Sequence, residues 1–289
     1  MTLEPTMQAL AGLSGIAPRY DVVLSDIWGV VHNGVAAHQT AVDALVDYRR
    51  NGGRVVLISN APRPHGPIIE MMDRLGVSRE AYDDVVTSGD ATRVVLERYR
   101  GQTVHYVGPP HDNDSLFEGL DITIGRAEDA RAIVVTDLDT DHDTPDMYND
   151  RITLWLSRNL PLIAANPDRV VEHGDQILYC GGALADLYEA RGGMIVMVGK
   201  PYKPIYAEAL RLAEKAAGHA VDRTRILAIG DSVRTDAIGA AGAGLDLLFI
   251  TGSIHAAELD AFGNADPEAI RRLVEPSGAN VVGFMPRLA

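Results

Sequence analysis

Residues Arg225–Asp236 read RILAIGDSVRTD. A short run of apolar residues ends at Gly230 and is followed at once by Asp231, with a second carboxylate, Asp236, five positions later. The run is what a strand buried on both faces looks like, and the polar stretch after it reads as a turn entering a helix. The same grammar recurs upstream: DVVLSD at Asp21–Asp26 leads into Ile27-Trp28-Gly29-Val30, and RVVLIS at Arg54–Ser59 leads into Asn60. Asp84–Thr87, Met194–Val198 and Leu245–Ile250 are further apolar runs. Helical spacing fills the intervals, as at Thr40–Arg50, Ile205–Ala217 and the Ala/Gly-rich Arg234–Gly244. Continuous apolar strands alternating with helices predict an α/β fold, a parallel Rossmann-like sheet with helices on both faces. Ligands of such sheets sit beyond the carboxyl ends of the strands. Asp26, Ser59, Asn60, Lys200 and Asp231 all occupy such ends.

The middle of the chain has strand candidates of its own at Thr103–Val107, Ala132–Thr136 and Pro161–Ala165. Helical stretches lie at Met147–Arg158 and Ala183–Ala190. Gly108-Pro109-Pro110 and the Gly181-Gly182 and Gly192-Gly193 pairs punctuate this region. The expected organisation is a core domain from residues 1–88 and 193–289, with an α/β domain of residues 89–192 inserted into it.

The 289 residues carry 26 Lys plus Arg against 40 Asp plus Glu, a formal charge of −14. Such a chain repels phosphate backbones, which argues against nucleic-acid binding while leaving room for a small phosphorylated ligand at a locally positive site. The single cysteine, Cys180, excludes an intramolecular disulfide and reads as a packed core thiol in a reducing compartment. The N-terminal stretch has no basic start leading into an apolar core, and no run approaches the length of a membrane span. The expectation is a cytoplasmic protein with no membrane partner.

Several motifs carry no chemistry. Asp137–Asp146 (DLDTDHDTPD) begins like a calcium loop but has His142 where glycine is required and Tyr148 where the closing glutamate belongs. Gly193–Lys200 has the wrong spacing for a phosphate loop and continues into Pro201. None of the nine histidines falls into a zinc spacing.

Each strand-end residue also has a structural reading: Asp26 as a turn cap, Ser59-Asn60 as a helix entry, Lys200 as a surface residue in a Gly/Pro turn, Asp231 or Ser232 as a helix cap. Together, and in this order, they are similar to the haloacid dehalogenase superfamily of aspartyl-nucleophile phosphohydrolases. Asp26 matches the nucleophile, Ser59 the second motif, Lys200 the third, and Asp231 with Asp236 the fourth. Gly34–Gly53 leaves room for one helix only, so the inserted unit lies between Ser59 and Lys200, as in the class II cap arrangement. Thr87-Ser88-Gly89-Asp90-Ala91-Thr92, Ala165-Asn166-Pro167-Asp168 and Gly199-Lys200-Pro201 resemble the IIA subfamily of sugar-phosphate, nucleotide and pyridoxal-phosphate phosphatases.

The resemblance implies an aspartyl phosphate formed on Asp26 and hydrolysed by water. It implies one Mg²⁺ held by Asp26, the backbone carbonyl of Trp28 and Asp231, with Asp236 binding or orienting its shell. Ser59, Asn60 and Lys200 would hold the phosphoryl oxygens, and the cap, through the loop Asn166–Arg169, would face the substrate, a small phosphorylated metabolite. Relatives of this subfamily often pair through the cap, so a homodimer is a further expectation. At one place the sequence departs from the pattern: Trp28 occupies the position of the family's acid/base aspartate. An indole cannot protonate a leaving alkoxide or activate water, and such a group is worth roughly 10²–10⁴ in rate. Three readings follow: a phosphohydrolase acting on a good leaving group or using another acid/base such as His32, a non-catalytic phosphoryl-ligand binder or regulator, and a carbon-centre hydrolase of the dehalogenase type.

Overall fold

The computed structural model describes residues 7–109, 113–173, 176–262 and 265–289. The first six residues and Pro110, which enter the sequence reading, lie outside the described residues. In chain order the elements are β1 (Val22–Asp26), α1 (Gln39–Arg50), β2 (Arg54–Ser59), α2 (His65–Leu75), β3 (Asp84–Thr87), α3 (Ser88–Leu96), β4 (Gln102–Val107), α4 (Asn113–Phe117), β5 (Ile122–Ile124), β6 (Ile133–Val135), α5 (Asn149–Ser157), β7 (Leu162–Ala164), β8 (Val170–His173), β9 (Gln176–Tyr179), α6 (Gly181–Ala190), β10 (Ile195–Met197), α7 (Lys203–Ala217), β11 (Ile226–Gly230), α8 (Ile238–Ala243), β12 (Asp246–Ile250), α9 (Pro267–Val274) and β13 (Asn280–Met285).

Two units form. The first comprises Met1–Ser59, Gly66–Val86 and Tyr206–Ala289. Its six-stranded sheet has the order β13-β12-β11-β1-β2-β3. The pairs β1–β2, β1–β11, β11–β12 and β12–β13 are parallel. Every residue of β1 and β11 is buried, including the polar Ser25 and Asp26 that end the apolar run of β1. Chain order runs outward from β1 through β2 to β3 on one side and from β11 to β13 on the other. The β1/β11 junction is therefore the topological switch point, the place where ligands of such open sheets bind.

Local chemistry sets the helix ends. Asp266 caps α9, its side chain accepting from the Glu268 N–H, with Pro267 as the first helical residue. After β11 the chain makes a wide turn at Val233–Ala237 before α8, and the Ser232 hydroxyl accepts from the Thr235 N–H at its start.

The second unit comprises Asn60–His65 and Thr87–Ile205. Its five-stranded sheet has the order β10-β7-β6-β4-β5, parallel at every pairing, beside an antiparallel β8–β9 hairpin. Thr87 and Asp90 form a reciprocal capping box at the start of α3. Trp155 of α5 is fully buried and meets Tyr188 of α6 edge-on, with ring centroids 6.1 Å apart.

The Met194–Val198 run, expected in the core sheet, supplies β10 of the second sheet instead, paired with β7. Apolar character does not say which sheet a strand joins, and Ile195 and Val196 are only half-buried, as suits an edge. The division of the chain moves accordingly, from the expected 89–192 to Thr87–Ile205 with Asn60–His65 added. The parallel α/β class agrees with the expectation. No helix among the described residues is long and apolar enough to cross a membrane.

Candidate active site

Parallel pairing aligns the ends of β1 and β11, with Ser25 opposite Ile229. Asp26 thus emerges beside Gly230, and Asp231 follows on the neighbouring strand. Asp236 returns to the same place through the turn after β11, where it packs on Gly230 so closely that a Cβ there would overlap its carboxyl group. Asp26, Asp231 and Asp236 are all buried, and each offers an oxygen within 4.8 Å of the others'. Among the described residues this is the only group of three such side chains that could hold a metal ion.

Asp26 and Asp236 are each held by the local backbone. The Ile27 N–H donates to Asp26 Oδ1 at 2.7 Å, and the Ser232 N–H donates to Asp236 Oδ2 at 3.1 Å. The turn after Asp26 is closed by bonds from the Val31 N–H to the Ile27 carbonyl (2.8 Å) and from the Gly29 N–H to the His32 carbonyl (2.8 Å). Gly29 takes φ +81°, and a Cβ on it would lie under 3.0 Å from both Asp231 Oδ2 and Ser253 Oγ. Only glycine satisfies both constraints. Three carboxylates buried this near one another repel strongly in a poorly polarisable interior. The set is all oxygen, with no thiolate or imidazole, and so fits a hard cation such as Mg²⁺ rather than zinc.

Trp28 is 54% exposed although it lies two residues beyond buried Asp26. Its six-membered ring rests on Gly34, where φ is +84° and a Cβ would come within 2.9 Å of Cζ3 and 3.1 Å of Cζ2. The His32 imidazole meets the indole edge-on at 5.3 Å between centroids. His32 is itself 1% exposed: Nδ1 accepts from the Gly34 N–H at 3.0 Å, and Nε2 has no hydrogen-bond partner. Burial, reinforced by the charge of His38, lowers the His32 pKa to about 4.

Ser59 ends β2, one residue past the pairing of Ile58 with Asp26. Asn60 and Lys200 lie in the second unit and are joined there. The Lys200 N–H donates to Asn60 Oδ1 at 2.7 Å, while Asn60 Nδ2 donates to the Lys200 carbonyl (3.3 Å) and to Asp168 Oδ1 (3.2 Å). The Asn166 Oδ1 accepts from the Asp168 N–H at 3.1 Å, which ties the 166–169 loop to the same network. Lys200 is buried. Elsewhere in this unit Asp139 is paired to Arg151 at 2.5 Å and Asp143 accepts from Thr140 and Tyr148, so the acidic Asp137–Asp146 stretch is a tied-down turn.

Ser253 escaped the sequence reading. Its signal is weak but present: Thr251-Gly252-Ser253 follows β12, the neighbour of β11, at the same strand ends.

A model of haloacid dehalogenase-like hydrolases matches residues 23–122, and a second, HAD-hydrolase-like model matches residues 197–275. The crystal structure of a haloacid dehalogenase-like family hydrolase from Brucella suis 1330 superposes with a TM-score of 0.82 at 39% identity, covering 96% of this chain and 99% of that one. A rat protein described as haloacid dehalogenase-like hydrolase domain-containing protein 2 is 30% identical over 241 residues, 82% of this chain and 86% of its own. The p-nitrophenyl phosphatase of Archaeoglobus fulgidus shares the fold, with a TM-score of 0.72 at 20% identity over 93% of this chain and 97% of its own.

Proposed function

The chain belongs to the haloacid dehalogenase-like hydrolase family, and on that premise we propose that it hydrolyses phosphate monoesters of small metabolites with one Mg²⁺ bound. The observation that carries this reading is the buried trio Asp26, Asp231 and Asp236 at the β1/β11 switch point. Asp26 attacks phosphorus and forms an aspartyl phosphate, which water then cleaves. The Ile27 N–H fixes one oxygen of Asp26 and so orients the carboxylate for attack. Asp26, Asp231 and the backbone carbonyl of Trp28 would hold the cation, with Asp236 binding or orienting its shell. A cation held there would offset the charge of an anionic nucleophile meeting an anionic phosphoryl group. The resemblance assigns Ser59, Asn60 and Lys200 to the phosphoryl oxygens, and the proposal keeps that assignment.

Trp28 stands where the family places its acid/base aspartate. The proposed enzyme therefore works best on esters whose leaving group departs without a proton. The retained nucleophile argues against a pure binding protein. The buried acidic trio argues against attack on carbon, which calls for no cation. The test is phosphate release from a broad panel of phosphate esters, with Mg²⁺ and with chelator. Mg²⁺-dependent release from at least one ester class is expected; release indifferent to Mg²⁺, or none from any ester, would overturn the reading.

A further inference from the structure

We propose that a cavity at the opposite end of the first sheet is a second binding site, and that its ligand is a small organic cation, an alkylated ammonium carried on an apolar body. Such a ligand is not the substrate, and the site does not depend on the phosphohydrolase reading.

Its place follows from the strands. The cavity measures about 750 Å³, a size that suits a small organic molecule. Tyr20 and Asp21 lead into β1, Gly53 into β2 and Arg225 into β11, and all four line it. Asp26 and Asp231 lie at the far ends of β1 and β11. From Asp21 to Asp26 the extended chain covers about 16 Å. A small molecule seated beside Asp21 is therefore out of reach of the acidic trio.

Two features of the wall select the ligand. The first is apolar surface. Leu13, Pro18 and Ala44 line the cavity together with Tyr20 and Tyr48. Both tyrosine hydroxyls are engaged: Tyr20 donates to Asp246 Oδ2 at 2.6 Å, and Tyr48 donates to the Tyr20 carbonyl at 2.9 Å. These two side chains offer ring carbon rather than spare donors. A tyrosine ring attracts cations to its face, and Tyr20 already does so, with the Arg19 guanidinium 5.3 Å from its centroid.

The second feature is charge. Among the acidic and basic side chains of the wall, Asp21 and Arg225 cancel in a two-pronged pair, with Nε donating to Oδ2 at 2.6 Å and Nη2 to Oδ1. Asp47 remains. Its ion pair with Arg50 is long, 3.9 Å, and the same guanidinium is bonded to Glu80 at 2.8 Å. Asp47, Tyr48 and Asn51 also bring the last turn of α1 to the wall, and the carbonyl end of a helix favours positive charge. Net negative charge beside aromatic carbon is the pairing that recognises alkylated ammonium groups.

Calorimetric titration of the full chain with three aromatic probes tests the site: benzyltrimethylammonium, benzyl alcohol and benzoate. The cation should bind once per chain, on the order of tenfold tighter than the alcohol, the range of a cation–π contact joined to one carboxylate. Benzoate should bind weakest. Asp47→Asn, at an exposed position, should erase most of the preference for the cation. Ala44→Phe fills the cavity and should abolish binding, with circular dichroism as the folding control; Ser14→Phe, from the N-terminal side of the wall, replaces it if that variant does not fold. Asp26→Asn, at the far end of β1, should change nothing. Equal binding of the three probes, no saturable binding at millimolar probe, a cation preference that survives Asp47→Asn, binding that survives the filled cavity, or loss of binding in Asp26→Asn overturns the site.

Discussion

Replacing Gly29 by alanine tests the site through its backbone. Gly29 sits at φ +81°, where an alanine costs about 1–2 kcal/mol in local strain. The added Cβ would also fall under 3.0 Å from Asp231 Oδ2 and Ser253 Oγ. Restoring ordinary contact requires the carboxylate or the hydroxyl to retreat by about 1 Å. Mg²⁺ demands near-ideal octahedral geometry, so a displaced Asp231 should weaken binding at least about tenfold, roughly 1.4 kcal/mol. Gly76→Ala is the control. Gly76 takes φ +87° with nothing within 4 Å of its Cβ position, so it carries the strain without the collision. The assay is urea unfolding with and without Mg²⁺, since a cation that binds only the folded chain raises its stability. Without metal Gly76→Ala should lose about 1–2 kcal/mol, and Gly29→Ala at least as much because of its collision. Only Gly29→Ala should also lose the Mg²⁺-dependent gain. If Gly29→Ala keeps the full gain, or Gly76→Ala loses it equally, the reasoning about this turn is wrong.

Asp26→Asn should abolish Mg²⁺-dependent phosphate release while leaving the circular dichroism spectrum unchanged, because the amide keeps the shape but neither attacks phosphorus nor matches a carboxylate as a ligand; retained release over a matched blank would refute it. Trp28→Asp should raise activity on sugar phosphates, recovering part of the ~10²–10⁴ of general acid–base catalysis, and a well-folded variant with no gain on any ester would show that another residue already moves the proton. Cys180 is buried, and desolvation, with the charges of Asp137 and Asp168, pushes its thiol up to about 12. It therefore stays protonated through neutral pH and should resist iodoacetamide at pH 8 until the chain is unfolded, whereas prompt alkylation of the native protein would contradict the packing.

Five of the six strands of the first sheet, β1, β2, β3, β11 and β12, are legible in the sequence as short apolar runs, and Asp26 and Asp231 stand out as carboxylates at the ends of two of them. That these two and Asp236 share one corner follows from parallel pairing of β1 with β11, which the strand-end rule anticipates. Sheet membership was less legible. Ile195–Met197 has the composition of a core strand, but its half-buried place at the edge of the second sheet depends on partners far away in sequence. The β8–β9 hairpin and β13 were not singled out at all. β13 adds to the outer side of β12, a pairing no local pattern announces. Asn60 and Lys200 were nominated separately, and nothing local foretold their mutual hydrogen bonds across 140 residues. Ser253 was missed because a lone serine after a strand is commonplace; it becomes notable only through its approach to Gly29 beside Asp231.

The central claim is that Asp26, Asp231 and Asp236 hold the divalent cation on which phosphoryl transfer depends. Anomalous diffraction from crystals of the full chain grown with Mn²⁺, a substitute for Mg²⁺ with a usable signal, tests it most directly. The account predicts one strong peak at metal–oxygen bonding distance from Asp26 and Asp231, with Asp236 beside it. A peak elsewhere with these three carboxylates bare, or no peak at millimolar Mn²⁺, would contradict it.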